Sequence, residues 1–202
     1  MAGLDLRPLL ARVVEEGAAF APDALREPFR ALLAAELARG PVRHYREQFG
    51  QVRQQIEGFD LVDPFEGFPR VAELCRALTL LVRAQGGTIR GLRTWRVNEA
   101  GVVIYRRGSI GITPHLDGRR YRRLVAVVTL SGEAELAICQ DRSGSVVAAF
   151  EAGPGSVTLL RGPGLDHRRD GRPFHTVGSP RIGERCAIGL RMTTSPPMAT
   201  DP

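Results

Sequence analysis

The chain carries four histidines, at positions 44, 115, 167 and 175, and two of them sit where they could do chemistry. One setting is Gly111-Ile-Thr-Pro-His115-Leu-Asp117-Gly118. On an extended strand residues i and i+2 share a face, so His115 and Asp117 would project together, with Pro114 and Leu116 opposite. The other is Arg172-Pro-Phe-His175-Thr-Val, a short apolar run further along the chain. Two imidazoles and one carboxylate, brought together, form the facial donor set of non-heme Fe(II) sites, which leaves adjacent coordination positions open to small ligands. The His-x-Asp spacing alone decides nothing. With 4 histidines and 22 acidic residues in the chain, chance supplies roughly 0.4 such pairs. His167, within Asp-His-Arg-Arg-Asp-Gly, is a rival ligand in what reads as a solvated loop. His44 reads as a surface residue.

Two further groups of residues bear on the same chemistry. The segment Glu184-Arg185-Cys186-Ala187-Ile188-Gly189-Leu190-Arg191-Met192 alternates as a strand. Arg185, Ala187, Gly189 and Arg191 then share one face, where small residues between two guanidinium forks leave room for a small anion. A half-exposed edge strand with two solvated arginines gives the same pattern. Directly after the His-x-Asp motif comes Gly118-Arg-Arg-Tyr-Arg-Arg123. Arg119 and Arg122 could hold a carboxylate or phosphate of a substrate. The loop could equally track a nucleic-acid backbone, with Tyr121 or Trp95 stacking a base, or be a solvated turn. Asn98-Glu99-Ala100-Gly101 reads as a hairpin turn and a candidate lid.

The elements that would position these residues fall into two stretches. Residues 1–59 read as helical. Asp5 caps a first helix through about Glu16, and Asp23 caps a second that holds Pro28 in its early turn and stops at Gly40-Pro41. A polar third helix spans about 42–57. The segment GFDLVDPFEGFPR reads as a loop. Residues 69–84 form an amphipathic helix ending at Gly86-Gly87. From residue 88 short β-rich runs take over, separated by Gly, Pro, Asn and Asp. They are Thr88–Val97, Val102–Arg106, Ile110–His115, Arg123–Leu130, Ala134–Gln140, Ser145–Phe150, Ser156–Leu160, Phe174–Val177 and Glu184–Met192. The expected fold is α+β, a jelly-roll (double-stranded β-helix) core with an N-terminal helical layer. The expected division is a helical extension over 1–68, the jelly roll over 69–194 and a flexible tail over 195–202.

Composition sets bounds without choosing a function. The 202 residues are 43% hydrophobic and 25% charged, ordinary values for a globular chain. No stretch of 18 apolar residues suggests a membrane-spanning helix. The opening MAGLDLRPLLARVVEEG has charges inside its apolar run and does not read as a signal peptide. Cys75, Cys139 and Cys186 are far apart and without a CxxC pair, which points to reduced core thiols in a cytoplasmic protein. All 28 basic residues are arginine, and the net charge is +6. Because they are spread along the chain, a coding bias toward arginine accounts for them better than phosphate or carboxylate recognition does, and basicity alone does not argue for nucleic acid.

The order of these features resembles the Fe(II)/2-oxoglutarate-dependent oxygenases, and most the AlkB-like branch. The resemblance covers about residues 70–192. It runs from VAELCRALTLL through Val102-Val-Ile-Tyr105, His115-x-Asp117, LVAVVTL, Gly155-Ser-Val-Thr-Leu-Leu and Phe174-His175 to Arg185-x5-Arg191. It implies that His115, Asp117 and His175 bind Fe(II) and that Arg185 pairs with the distal carboxylate of 2-oxoglutarate. It further implies that Arg191 lies close to the cosubstrate and the metal-binding carboxylate, and that Tyr105 hydrogen-bonds the cosubstrate. O2 is then the oxidant, and succinate and CO2 are co-products. Ala187 and Gly189 replace the polar residues usual between the two arginines, Val103 stands where an asparagine is expected, and a nucleotide-recognising hairpin is not evident. These departures bear on nucleic-acid demethylation more than on the iron and cosubstrate chemistry. A hydroxylase of an unactivated C–H bond of a small molecule, which could be anionic, is therefore the leading expectation. The alternatives are an AlkB-like demethylase of nucleic acid or of a protein side chain, and a non-catalytic cupin-like protein that binds a metal or small anion.

Overall fold

A computed structural model describes residues 3–194. Three helices, α1 (Arg7–Glu16), α2 (Phe29–Leu37) and α3 (Pro69–Gln85), back a large antiparallel sheet. The strands are β1 (Ala18–Ala21), β2 (Arg43–His44), β3 (Gln48–Phe49), β4 (Val52–Arg53), β5 (Glu57–Val62) and β6 (Glu99–Tyr105). They continue with β7 (Ile112–His115), β8 (Tyr121–Cys139), β9 (Val146–Ala152), β10 (Val157–Arg161), β11 (Phe174–Val177) and β12 (Ile182–Thr193). The main sheet has the order β1-β10-β8-β12-β6-β5-β2. The far end of β8 pairs with β9 and β11, and β11 pairs with β7, so β8 belongs to both walls of a double-stranded β-helix.

Alternation along β8 separates two cores. Leu124, Ala126, Val128 and Leu130 point outward and pack with Leu10, Val13, Leu33, Leu74, Leu78 and Val82 of the helices. Val125 points into the space between the walls, with Tyr105, Ile112, Leu136, Leu160 and Val177. The helix α3 shows why its sequence folds as it does. Val71, Leu74, Cys75, Leu78 and Val82 recur at helical spacing and are buried, and Gly86 closes the helix by donating to the Val82 carbonyl at 2.8 Å. Its first turn is capped from outside, because the buried Glu36 of α2 accepts from the backbone amides of Arg70 and Val71, each at 3.0 Å.

Several expectations need correction. The helical reading of 1–59 fails over 18–21 and 42–59. β1 pairs with β10 and β5 with β6, so this part of the chain supplies strands to the sheet. The expected third helix had no continuous apolar stripe, and residues 43–53 form short, mostly exposed strands instead. Nor is Asp23 a cap. Its φ of 52° lies in the left-handed region, and α2 starts only after Pro28. Thr88–Val97 is not a strand but turns and a short 3-10 segment at Leu92–Thr94, which follows Gly91 at φ 102°. Glu99–Gly101 is not a turn or lid but the first part of β6. The two runs on either side of Ser131-Gly132 form one strand of 19 residues, bent at Gly132 with φ 65°. Asp5 does accept from the Arg7 amide at 3.1 Å, although Leu6 occupies the cap position. Residues 195–202, the expected flexible tail, lie outside the described residues.

Among the described residues no helix is long and apolar enough to cross a membrane. Cys75, Cys139 and Cys186 are all free thiols, and burial pushes Cys75 up to about 12 and Cys186 up to about 11.

Candidate metal and anion site

The β7–β11 register places His175 directly opposite His115. Their ring centroids are 4.3 Å apart, and one ligand atom from each of His115, Asp117 and His175 lies within 4.8 Å of the others. Asp117 follows the end of β7, where the chain is held by the Arg172 guanidinium, which donates to the Asp117 carbonyl. Arg172 is itself paired with Asp170 at 2.8 Å.

Both imidazoles are oriented by backbone. The Nδ1 of His115 lies 3.0 Å from the Thr113 carbonyl, and the Nδ1 of His175 lies 3.2 Å from the Pro173 carbonyl. A carbonyl can only accept, so Nδ1 carries the proton in each ring and Nε2 keeps its lone pair. Burial first, and then the neighbouring His175, push His115 down to about 4, so it is neutral at pH 7. Two imidazoles with Nδ1 turned to backbone carbonyls and a carboxylate in this arrangement fit a divalent transition metal.

Arg185 and Tyr105 face each other across β12 and β6. Arg185 is 1% exposed, its guanidinium carbon lies 5.3 Å from the Tyr105 ring centroid, and it donates to Thr129 Oγ1 at 3.1 Å. Its Nε has no partner, and among the described residues no carboxylate pairs with it. Burial pushes its pKa down. A buried guanidinium with an orphaned donor and no counter-ion could hold an anion. Burial likewise pushes the Tyr105 phenol up, so it stays a hydroxyl donor.

Arg191 is placed differently from Arg185. It donates to Tyr121 Oη at 2.9 Å and to the fully buried Glu99 at 3.2 Å, and it lies 3.5 Å from Asp60. Arg120 also holds Glu99, with a second nitrogen 2.9 Å from Glu99 Oε1. Burial pushes the Arg191 pKa down, but Tyr121, Asp117, Asp60 and Glu99 outweigh it and the net direction is up. The room expected over Gly189 is filled by Arg191 itself. A Cβ at Gly189 would come 3.2 Å from its guanidinium, and one at Gly101 only 2.6 Å. The two glycines thus make the berth for Arg191, rather than an open anion pocket.

The remaining sequence candidates divide. Trp95 is fully buried in the outer core and donates Nε1–H to the Leu124 carbonyl at 3.0 Å, so it cannot stack on a base. Tyr121 turns inward to Arg120 and Arg191. Arg119 and Arg122 line an arginine-rich groove, and His167 lies on that groove rather than with His115 and His175. His44 is exposed on β2. Sequence reasoning missed Glu99, Arg120, Asp60, Thr129 and Arg172. Glu99 was readable in part, because Glu99, Gly101, Val103 and Tyr105 alternate onto one face. It also missed the exposed β3–β4 hairpin. That hairpin is held against β7 by the Arg53 amide, which donates to Thr113 Oγ1 at 2.9 Å, next to His115.

No known family model matches the chain, and no curated protein matches it in sequence. Solved structures do match it. A prolyl-4-hydroxylase of Pseudomonas putida is 17% identical with a TM-score of 0.64, over 94% of this chain and 100% of that one. The non-heme alpha-ketoglutarate-dependent epimerase SnoN from nogalamycin biosynthesis is 15% identical with a TM-score of 0.64, over 92% of this chain and 81% of that one. OsALKBH1 is 13% identical with a TM-score of 0.57, over 87% of this chain and 98% of that one. At such low identities these likenesses establish the architecture: the chain has the double-stranded β-helix fold of 2-oxoglutarate/Fe(II) oxygenases.

Proposed function

We propose that this protein is an Fe(II)- and 2-oxoglutarate-dependent dioxygenase that hydroxylates a C–H bond of a small molecule. The observation that carries the reading is the combination of a His115–Asp117–His175 donor cluster with a buried Arg185 that has no counter-ion, inside one β-helix. Iron bound there, with 2-oxoglutarate and O2, would insert one oxygen atom into the C–H bond and release succinate and CO2.

The residues have distinct tasks in this reading. His115, Asp117 and His175 hold the metal on one side. Arg185 and Thr129 orient the distal carboxylate of the cosubstrate, and Tyr105 donates a hydrogen bond to it. Arg191 and Tyr121, fixed by Glu99 and Arg120, keep a positive charge beside Asp117. Val125, Leu160 and Val177 keep water from the interior. Fold alone does not select the outcome, since an epimerase shares it. Hydroxylation is favoured over nucleic-acid demethylation because Trp95 is buried and Tyr121 is engaged within the protein, which removes both stacking residues the sequence offered. The test is succinate release from 2-oxoglutarate in the presence of Fe(II) and O2. Wild-type protein should show slow turnover even without substrate, and His175→Ala should show none. Equal turnover in both would refute the proposal.

A further inference from the structure

The loop that follows the metal cluster splits its residues. Arg120 and Tyr121 turn inward, while Arg119 and Arg122 line a groove of about 850 Å³ that Arg90, Arg168 and Arg169 complete. We infer that this groove binds phosphate, and that the substrate class is a small phosphorylated molecule whose phosphate seats here while its C–H bond reaches the metal cluster. The substrate assignment rests on the oxygenase reading; the phosphate site does not.

Charge is the first argument. Five arginines face the groove, and Asp170 is its one carboxylate. Asp170 is already held by Arg172 at 2.8 Å and lies 3.6 Å from Arg119. Elsewhere Arg7, Arg70, Arg106 and Arg181 pair with carboxylates, and unpaired guanidinium groups such as those of Arg26, Arg39 and Arg107 are not among those that share this concavity. Among the described residues the guanidinium groups of Arg122, Arg168 and Arg169 have no ion-pair or hydrogen-bond partner. Uncompensated guanidinium forks converging on one concavity suit a group with two negative charges and several acceptor oxygens, which is a phosphate rather than a single carboxylate.

Rigidity is the second. The two walls are tied together by backbone, with the Arg123 amide donating to the Pro163 carbonyl at 3.0 Å and the Asp166 amide to the Arg90 carbonyl at 3.1 Å. The 162–168 turn is closed by Gly164 donating to the Arg168 carbonyl at 2.9 Å. Arg90 donates to His167 Nδ1 at 2.5 Å, which leaves Nε2–H as a further donor at the groove. Such a frame fixes the backbone from which the arginines reach into the groove before any ligand arrives.

Position is the third. Arg119 stands two residues from Asp117, and Asp170 holds the same Arg172 that donates to the Asp117 carbonyl. Groove and metal cluster are thus joined through the loop that carries Arg119 and through the Asp170–Arg172–Asp117 contacts. No aromatic side chain lines the groove, so it lacks the stacking platform a single-stranded nucleic acid would use.

The test is calorimetric titration of metal-free protein with pyrophosphate as the probe, alongside a single-stranded oligonucleotide. Wild-type protein should bind pyrophosphate at one site. Arg122→Ala and the pair Arg168→Ala with Arg169→Ala should each weaken it about tenfold or more, and Arg181→Ala, in a surface ion pair with Glu135 and Glu151 away from the groove, should leave it unchanged. No binding, or binding indifferent to the groove variants, would overturn the phosphate site. Oligonucleotide binding tighter than pyrophosphate, with a steep salt dependence, would overturn the small-molecule class. None of these readings depends on iron, so failure here and failure of the oxygenase reading are separable.

Discussion

Replacing Arg185 by leucine should separate stability from function. The guanidinium is 1% exposed, has one hydrogen bond to Thr129, lies over Tyr105, and leaves Nε without a partner. Exchanging a buried charge for an apolar side chain is often neutral or stabilising by about 1–4 kcal/mol. Against this stand the lost hydrogen bond, about 1.5 kcal/mol, and the lost ring contact, about 1 kcal/mol. The metal- and cosubstrate-free variant should therefore melt within a few degrees of wild type or above it, since about 1 kcal/mol moves Tm by roughly 2–4 °C at this chain length. Ligand response should change in the opposite sense. At a hundredfold excess over Kd, 2-oxoglutarate should stabilise the metal-loaded wild type by about 2.7 kcal/mol, or roughly 5–10 °C. In Arg185→Leu that rise should vanish. Differential scanning fluorimetry with Mn(II) as a redox-silent metal reads both effects. A variant that melts far below wild type yet keeps its full response to 2-oxoglutarate would refute the assignment of Arg185 as an anion site.

Other outcomes follow from single contacts. Trp95→Ala should cost about 3–5 kcal/mol in urea unfolding, because Trp95 is fully buried with its indole N–H on the Leu124 carbonyl. Glu36→Ala should lower stability by about 1–2 kcal/mol, as it uncaps the first turn of α3; an unchanged melt would contradict the capping role. His115 has a folded-state pKa of about 4, below the ordinary 6.5. The unfolded chain therefore binds the extra proton, and metal-free protein should lose stability as pH falls from about 6.5 to 4. A melting series without that loss, or one in which His115→Asn retains this part of it, would contradict the burial of a neutral imidazole. Gly101→Ala should displace Arg191, whose guanidinium a Cβ would meet at 2.6 Å, from the buried Glu99, and lower the melting temperature of the metal-free protein; an unchanged melt would contradict the berth.

What the sequence disclosed and what it concealed divide along physical lines. Phe174–Val177 and the 69–85 helix were legible because alternation and helical spacing are strong there. The His115–His175 proximity was not a local signal. It arises from the β7–β11 register, and only the order of motifs pointed to it. The segment 42–62 misled because its strands are short and half-exposed, and their pairing with β6 is a tertiary choice that local propensity does not encode. Trp95 looked available for stacking because burial is invisible in a sequence, whereas the structure spends it on the outer core. Glu99 was hidden because Asn98-Glu99-Ala100-Gly101 has turn-forming residues, yet Gly101 is small to admit the Arg191 guanidinium.

The most direct measurement is an anaerobic titration of metal-free protein with Fe(II) and then 2-oxoglutarate, followed by visible absorption, with His175→Ala and Arg185→Leu in parallel. A weak charge-transfer band in wild-type protein, absent in His175→Ala and reached only at much higher 2-oxoglutarate in Arg185→Leu, is the expected result. No band from folded, iron-loaded wild-type protein would contradict the oxygenase assignment and leave a β-helix that binds a metal or an anion without this chemistry.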